Sequence, residues 1–118
     1  MLHAFKLYTG PSNDSHVHEG AVLEGDRSDV VSIQFKESPP HARMDWHNAP
    51  EVQYVITLSG TLKFTTRDGE IFILRPGDVL IAEDNAGSGH KWELIDDQPW
   101  RRVYVVLKPG APDLFLPK

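Results

Sequence analysis

The sequence contains no cysteine among its 118 residues. Disulfide bonds, zinc sites with thiolate ligands and thiol nucleophiles are therefore excluded. A transition-metal site in this chain would have to use imidazole nitrogens and carboxylate or amide oxygens. Six histidines are available for such a site.

Long apolar runs are also missing. The longest, such as Val103–Leu107, are far too short to span a bilayer. The N-terminal stretch has no apolar core of the length that a signal peptide needs. We therefore expect a cytoplasmic protein with no membrane partner.

Positive charge is in the minority: 12 lysines and arginines face 17 aspartates and glutamates, for a net charge of −5. A weak negative field disfavours phosphate backbones and anionic lipids, so we expect no nucleic-acid partner. Hydrophobic residues make up 40% of the chain and charged residues 25%, which is an ordinary globular balance. The length suits one domain over residues 1–118.

The apolar residues recur with a period of two, and no segment has the period of an amphipathic helix. Val31, Ile33 and Phe35 alternate with polar residues, which predicts a strand with one face on a core. Short turn signals such as Asp68-Gly69 separate the runs. The pattern predicts about nine or ten strands, roughly at 4–9, 17–23, 29–36, 42–47, 52–58, 61–67, 70–75, 78–83, 89–95 and 101–107.

Many short, evenly spaced strands predict an all-β sandwich or closed barrel. We expect strands in residues 1–28, the barrel in about 29–107, and a tail or an arm onto a neighbour in 108–118. Segments 71–74 and 79–82 are apolar on both faces, and Leu114, Phe115 and Leu116 would be left in water without cover. Because symmetric dimers are the commonest soluble oligomer, these features predict a homodimer.

Two histidines stand at informative positions. His47 ends a predicted strand, and Gln53 begins the next one. Asp45 is two residues before His47, which puts both on the same face of a regular strand. His90 opens a later strand, after the turn Pro76-Gly77-Asp78 and an acidic loop.

These positions resemble the two motifs of the cupin superfamily, over residues 41–107. The first motif has two alternating histidines, a glutamate and a glycine seven residues after it; Gly60 matches that glycine, and Gln53 stands seven residues before it. In the second motif a proline-glycine turn and a strand precede a histidine, as Pro76-Gly77-Asp78 precedes His90. The chain also resembles small bacterial cupins with Trp-His-x-Ala-Pro before the glutamine and Gly-x-Gly-His late in the sequence.

The resemblance implies a double-stranded β-helix with a divalent transition metal (iron, manganese, nickel, zinc or copper) bound by His47, Gln53, His90 and Asp45. The sequence departs from the motif at two ligand positions, with neutral Gln53 in place of glutamate and Asp45 in place of the first histidine. If Asp45 faces away, three neutral ligands remain, and these bind a cation more weakly. For Asp45 a salt bridge to Arg43 or a turn contact is the alternative role.

Two further residues are predicted to lie in a substrate pocket. Trp92 follows His90 by two residues and so shares its face, where it could form a pocket wall. Glu51 lies two residues before Gln53 and would share its face of a strand. The alternative is that Glu51 is a solvated charge at the rim. Glu83 and Asp84 are predicted to be a solvated acidic loop, and His16 and His18 to be surface or interface residues.

Three functions are compatible with this pattern. The first is a metal-dependent enzyme of the oxygenase or isomerase type acting on a small organic molecule, with Asp45 or Glu51 moving protons. The second is a small-molecule binding or sensing module that binds metal weakly or not at all, which the neutral Gln53 favours. The third is a structural or interaction protein with a vestigial site. Metal content distinguishes the first two.

Overall fold

The computed structural model describes all residues, 1–118, and consists of strands and connecting loops only. The ten predicted strands are all present. In the strand Val30–Ser38 the predicted core face is wrong, because Val31, Ile33 and Phe35 are exposed, whereas the alternate residues Ser32, Gln34 and Lys36 line the space between the sheets. An eleventh strand lies in the C-terminal segment. The strands are β1 Leu2–Thr9, β2 Ser15–Val22, β3 Val30–Ser38, β4 Arg43–His47, β5 Gln53–Ser59, β6 Leu62–Thr66, β7 Ile71–Leu74, β8 Val79–Glu83, β9 His90–Leu94, β10 Trp100–Leu107 and β11 Phe115–Pro117.

The strands form two sheets that enclose a common interior. The larger sheet has seven strands in the order β11-β2-β1-β8-β5-β10-β3, and the smaller has four in the order β4-β9-β6-β7. Neighbouring strands are antiparallel except for β1 and β8, which are parallel. This is the double-stranded β-helix that the sequence predicted. No helix in the chain is long and apolar enough to cross a membrane.

An aromatic and aliphatic core fills one part of the interior. Phe64 stacks on Phe72 with ring centroids 4.9 Å apart, and Trp92 meets Trp100 edge to face at 4.7 Å. Gly60, at a φ of +92°, turns the chain between β5 and β6, where a Cβ would lie 3.1 Å from the Trp100 Cα. The motif glycine therefore allows the chain to pass close to the core.

The C-terminal segment packs on its own chain, which corrects part of the argument for a dimer. Phe115 pairs with Val22 of β2, and Lys6 binds the Asp113 carboxylate at 2.6 Å. In β8, Ile81 is fully buried within the single chain. Neither the arm nor the two-sided apolarity of 79–82 therefore requires a second subunit.

A cavity lined by two histidines and a glutamine

A cavity of about 520 Å³ opens between the two sheets and is the centre of the candidate site. His47, Gln53 and His90 all line it. His47 and His90 come from the four-stranded sheet, whereas Gln53 is the first residue of β5 in the seven-stranded sheet. The sequence prediction put His47 and Gln53 on adjacent strands, but they lie on opposite sheets and face each other across the interior.

The two histidines are direct cross-strand partners. His47 is opposite His90 in the β4–β9 pair, and the ring centroids are 4.4 Å apart. The close approach depends on Gly89, which has a φ of +78° and would place a Cβ only 2.5 Å from the backbone oxygen of His47. A larger residue at position 89 would therefore push apart the two strands that carry the imidazoles.

Each histidine is oriented by a hydrogen bond at Nδ1. His47 Nδ1 donates to the backbone oxygen of Asp45 at 2.8 Å, and His90 Nδ1 donates to the Asp84 carboxylate at 2.5 Å. With the proton on Nδ1, the lone pair of each ring is on Nε2, and this is the usual arrangement of histidines that bind metals. Neither Nε2 has a hydrogen-bond partner within the chain.

Burial lowers the pKa of His47, and the neighbouring His90 lowers it further, although the hydrogen bond to the Asp45 backbone opposes the shift. His47 is therefore a neutral imidazole at neutral pH. A neutral ring offers an Nε2 lone pair both to a cation and to a proton.

Asp84 is the residue that the sequence interpretation placed wrongly. Its side chain is 0% exposed rather than part of a solvated loop. One carboxylate oxygen accepts hydrogen bonds from His90 Nδ1 and from Ser15 Oγ, the latter at 2.7 Å, and the other oxygen has no partner. The only signal in the sequence was its position six residues before His90, at the end of a strand.

Asp45 lies away from the cavity, contrary to the shared face that the sequence predicted. The β4–β9 register shifts between Met44 and His47, so that one extra residue of β4 is accommodated in a bulge. A bulge reverses the alternation of faces, and Asp45 is therefore exposed. Its carboxylate accepts a hydrogen bond from the backbone N–H of Trp46, which is the turn contact considered as the alternative.

Both predicted pocket residues line the cavity. Trp92 is buried and forms part of its aromatic wall, whereas Glu51 lies at an exposed position. The sequence interpretation missed Lys36 and Arg102, which also line the cavity. Arg102 shares the parity of Trp100, Tyr104 and Val106 along β10, and this alternation could have identified it.

A second group of possible metal ligands lies outside the cavity, at His16, Asp68 and Glu70. The ligand atoms are within 4.8 Å of one another. His16 already binds Glu70 at 2.6 Å, and the neighbouring His18 meets the Tyr8 hydroxyl at 3.0 Å. This surface group could bind a metal ion in competition with the cavity, so a measurement of metal content has to distinguish the two sites.

Comparison with known proteins identifies the family. The model of the cupin domain matches residues 34–110, which is more than half of the chain. The chain belongs to the cupin family. The two sheets agree with the fold expected for this family, and His47 and His90, the histidines of its two motifs, both line the cavity.

Individual relatives are more distant. The chain is 32% identical over 78 residues to a cupin-domain-containing oxidoreductase, srdB, of Neurospora crassa; the match covers 65% of this chain but only 38% of that protein. The polyketide cyclase RemF from Streptomyces resistomycificus superimposes with a TM-score of 0.54 at 17% identity, over 95% of this chain and 81% of that one. A double-stranded β-helix protein from Klebsiella pneumoniae gives 0.53 at 22% identity, over 83% and 76%. At these identities the structures support the fold alone.

Proposed function

We propose that this cupin binds a small organic molecule in its cavity and acts on it as a metal-dependent enzyme of the oxygenase or isomerase type. The observation that carries the proposal is the orientation of His47 and His90, whose Nδ1 atoms are both occupied while both Nε2 atoms are free. Gln53 faces them from the other sheet and offers an amide oxygen. The srdB protein, named as an oxidoreductase, is consistent with this class of activity.

The donor set fits a divalent transition metal. Two imidazoles and one amide oxygen suit iron, manganese, nickel, zinc or copper, and the open cavity leaves room for substrate. Such a metal would act as a Lewis acid toward substrate oxygens when bound. His47, Gln53 and His90 would hold it, and Asp45 is left out of this set because its carboxylate is directed elsewhere.

The remaining cavity residues have roles that do not depend on the metal. Trp92 and the buried aromatic wall exclude water from one side of a bound molecule. Asp84 holds the Nδ1 proton of His90 and thereby fixes the orientation of the ring. Glu51, which lines the cavity, would accept or return a proton.

A metal-free binding or sensing module is the second candidate, and the neutrality of the ligand set favours it. A glutamine in place of a carboxylate leaves a bound cation without an anionic ligand, and the Asp84 carboxylate compensates its charge only through His90. In that case the same cavity would bind its organic ligand by shape and hydrogen bonds alone.

Metal analysis of protein purified without a histidine tag separates the two candidates. The enzyme proposal expects one transition metal per chain, lost in His47→Ala and in His90→Ala and retained in His16→Ala, which disrupts only the surface group. Metal that persists in both cavity variants and disappears in His16→Ala would overturn the cavity site. Absence of metal, together with thermal stabilisation by a small organic ligand, would establish the binding module instead.

A further inference from the structure

Arg102 is a buried cation without an anionic partner. It is 2% exposed and lines the cavity. Its Nε donates to the Tyr104 hydroxyl at 3.1 Å, and its Nη1 donates to Ser38 Oγ at 2.8 Å and to the Trp100 backbone oxygen at 3.1 Å. No carboxylate is within ion-pair distance, and Nη2 makes no hydrogen bond within the chain. Buried charges are normally paired, so this arrangement requires an explanation.

The guanidinium is held rigidly. Its Cζ lies 3.9 Å from the centroid of the Trp100 ring, and the three hydrogen bonds fix the plane of the group. A fork held in this way loses little conformational entropy when it binds an anion. Arg102 is therefore preorganised, and its remaining donor is Nη2.

A second cation lies directly opposite Arg102. In the β10–β3 pair Arg102 is the cross-strand partner of Lys36, and Lys36 also lines the cavity. Like charges directly opposite each other destabilise a sheet. An anion between them would relieve the repulsion.

The other face of the same two strands has the opposite arrangement. Arg101 is the cross-strand partner of Glu37, and its Nε donates to that carboxylate at 2.6 Å. The two strands thus pair unlike charges on their outer face and like charges on the face that lines the cavity. The positive charge at Arg102 and Lys36 is consequently a local feature of the cavity, in a chain whose net charge is −5.

The cationic pair is separated from the histidines along the barrel. Arg102 is opposite Thr57 of β5, whereas Gln53, four residues earlier, is opposite Val106. At the usual rise of a strand this separation is about 13 Å between backbone positions, and the side chains reduce it. One elongated molecule could therefore contact both ends.

We propose that the cavity binds the carboxylate of a small organic acid at Arg102 and Lys36, with the rest of the molecule directed toward His47 and His90. The inference deepens the proposed function by naming the class of its ligand. Trp92 and Trp100, which also line the cavity, favour an aromatic or unsaturated body.

The test uses cinnamate and its uncharged amide, cinnamamide, as matched probes. Binding to the full-length protein is followed by nuclear magnetic resonance at the Arg102 side-chain N–H and the Trp100 indole N–H, and affinities by calorimetry. We expect cinnamate to bind at millimolar concentrations or below, and cinnamamide roughly tenfold or more weakly, because hydrogen bonds between charged groups are the stronger ones.

Variants of the two adjacent arginines provide the control. Arg102→Gln should weaken cinnamate binding by roughly tenfold or more, whereas Arg101→Gln, on the outer face, should leave it unchanged. Because Arg102 is buried and its variant could misfold, Lys36→Gln is a second test at an exposed position. It should weaken binding without loss of the folded spectrum.

The inference would be overturned by equal affinities for cinnamate and cinnamamide, or by cinnamate binding that is unaffected by Arg102→Gln and Lys36→Gln. Equal affinities would still leave the cavity as a small-molecule site. Absence of cinnamate binding at millimolar concentrations would also overturn it. Conversely, binding to metal-free protein that depends on Arg102 supports the carboxylate site even if the metal part of the proposed function fails.

Discussion

His90 Nδ1 donates a hydrogen bond to Asp84 Oδ2 over 2.5 Å, and both side chains are buried. The same carboxylate oxygen accepts the hydroxyl of Ser15, which joins β2 to the site. Partners of this kind set the tautomer and the orientation of a ligating imidazole. Asp84 is therefore a positioning residue for His90.

Asp84→Leu should weaken metal binding by about 10–100-fold, because His90 loses its acceptor and the fixed Nδ1 proton. Asp84→Asn should lose less, since an amide oxygen can still accept from Nδ1. Affinity is measured by competition with a chelator, and imidazole nitrogen chemical shifts of His90 in metal-free protein report the tautomer.

Asp97→Leu is the matched control, because Asp97 accepts a hydrogen bond from the exposed His41 at 2.8 Å, away from the cavity. It should leave the metal affinity unchanged. Wild-type affinity in Asp84→Leu, with an unchanged His90 tautomer, would contradict the positioning role.

Gln53→Glu should tighten metal binding, because a carboxylate supplies the negative charge that the neutral set lacks. In the metal-free protein the same change should lower the melting temperature, since it places a carboxylate at a buried position. Added metal should restore that loss. The two effects are read from melting curves with and without metal.

Gln34→Glu provides the comparison, because Gln34 also lines the cavity but lies on the exposed edge strand β3. It should change neither the metal affinity nor the melting temperature by as much. An equal gain of affinity in both variants would indicate a general charge effect rather than ligation by position 53.

The strands and the histidine pair were predictable because both depend on local alternation and on the spacing of a few motif residues. Asp45 was not, because the bulge before His47 leaves no mark in the alternating pattern and reverses the face. Asp84 is polar and follows a strand, and such residues are usually solvated. Its burial depends on contacts with Ser15, which is distant in sequence.

The prediction that residues 108–118 form a tail or an arm onto a neighbour was wrong for a similar reason, because β11 pairs with β2 of its own chain. Its apolar residues indicated a need for cover, and Leu114 and Phe115 are half-buried on their own chain, whereas Leu116 is 44% exposed. The sequence cannot say whether such cover comes from the same chain. The contacts of Asp113 with Lys6 and Tyr54 connect it to β1 and β5.

The carboxylate pair formed by Asp113 of this segment and Glu83 of β8 predicts that stability depends on pH. Burial, together with a hydrogen bond to Asp113, raises the pKa of Glu83 to about 7. Burial also opposes ionisation of Asp113, but hydrogen bonds with Glu83 and Lys6 lower the pKa of Asp113 to about 2. The folded state therefore holds a proton on Glu83 that the unfolded chain releases near pH 4.5.

Because the folded state binds more protons between pH 4.5 and about 7, the free energy of unfolding should fall as the pH rises through that window. Glu83→Gln removes the titrating group and with it the fall in the free energy of unfolding. It should have little effect at the acidic end and should stabilise the protein above the window. Urea unfolding at both ends measures the difference.

Glu93→Gln, at an exposed residue whose ion pair with Lys63 is 3.9 Å long, is the control and should give the same small change at both ends. Equal destabilisation of Glu83→Gln at both pH values would mean that Glu83 acts as an ionised partner of Lys6 throughout.

The outer face of β3 leads to the last prediction, a homodimer. Val31, Ile33 and Phe35 are 60%, 61% and 71% exposed, and β3 is the terminal strand of its sheet, with β10 as its single neighbour. An exposed apolar edge strand is a template for pairing with another chain. We propose that two copies pair β3 with β3, antiparallel, about a twofold axis.

Phe35→Glu should convert the dimer to a monomer, because a two-fold axis places the added charge in the interface twice and near its own copy. Ile71→Glu is the matched control, since Ile71 is 55% exposed on β7, at the edge of the other sheet, and should leave the dimer intact. Light scattering across micromolar concentrations gives the mass of each variant. A monomeric wild-type protein, or a dimer lost in Ile71→Glu and retained in Phe35→Glu, would contradict the pairing through β3.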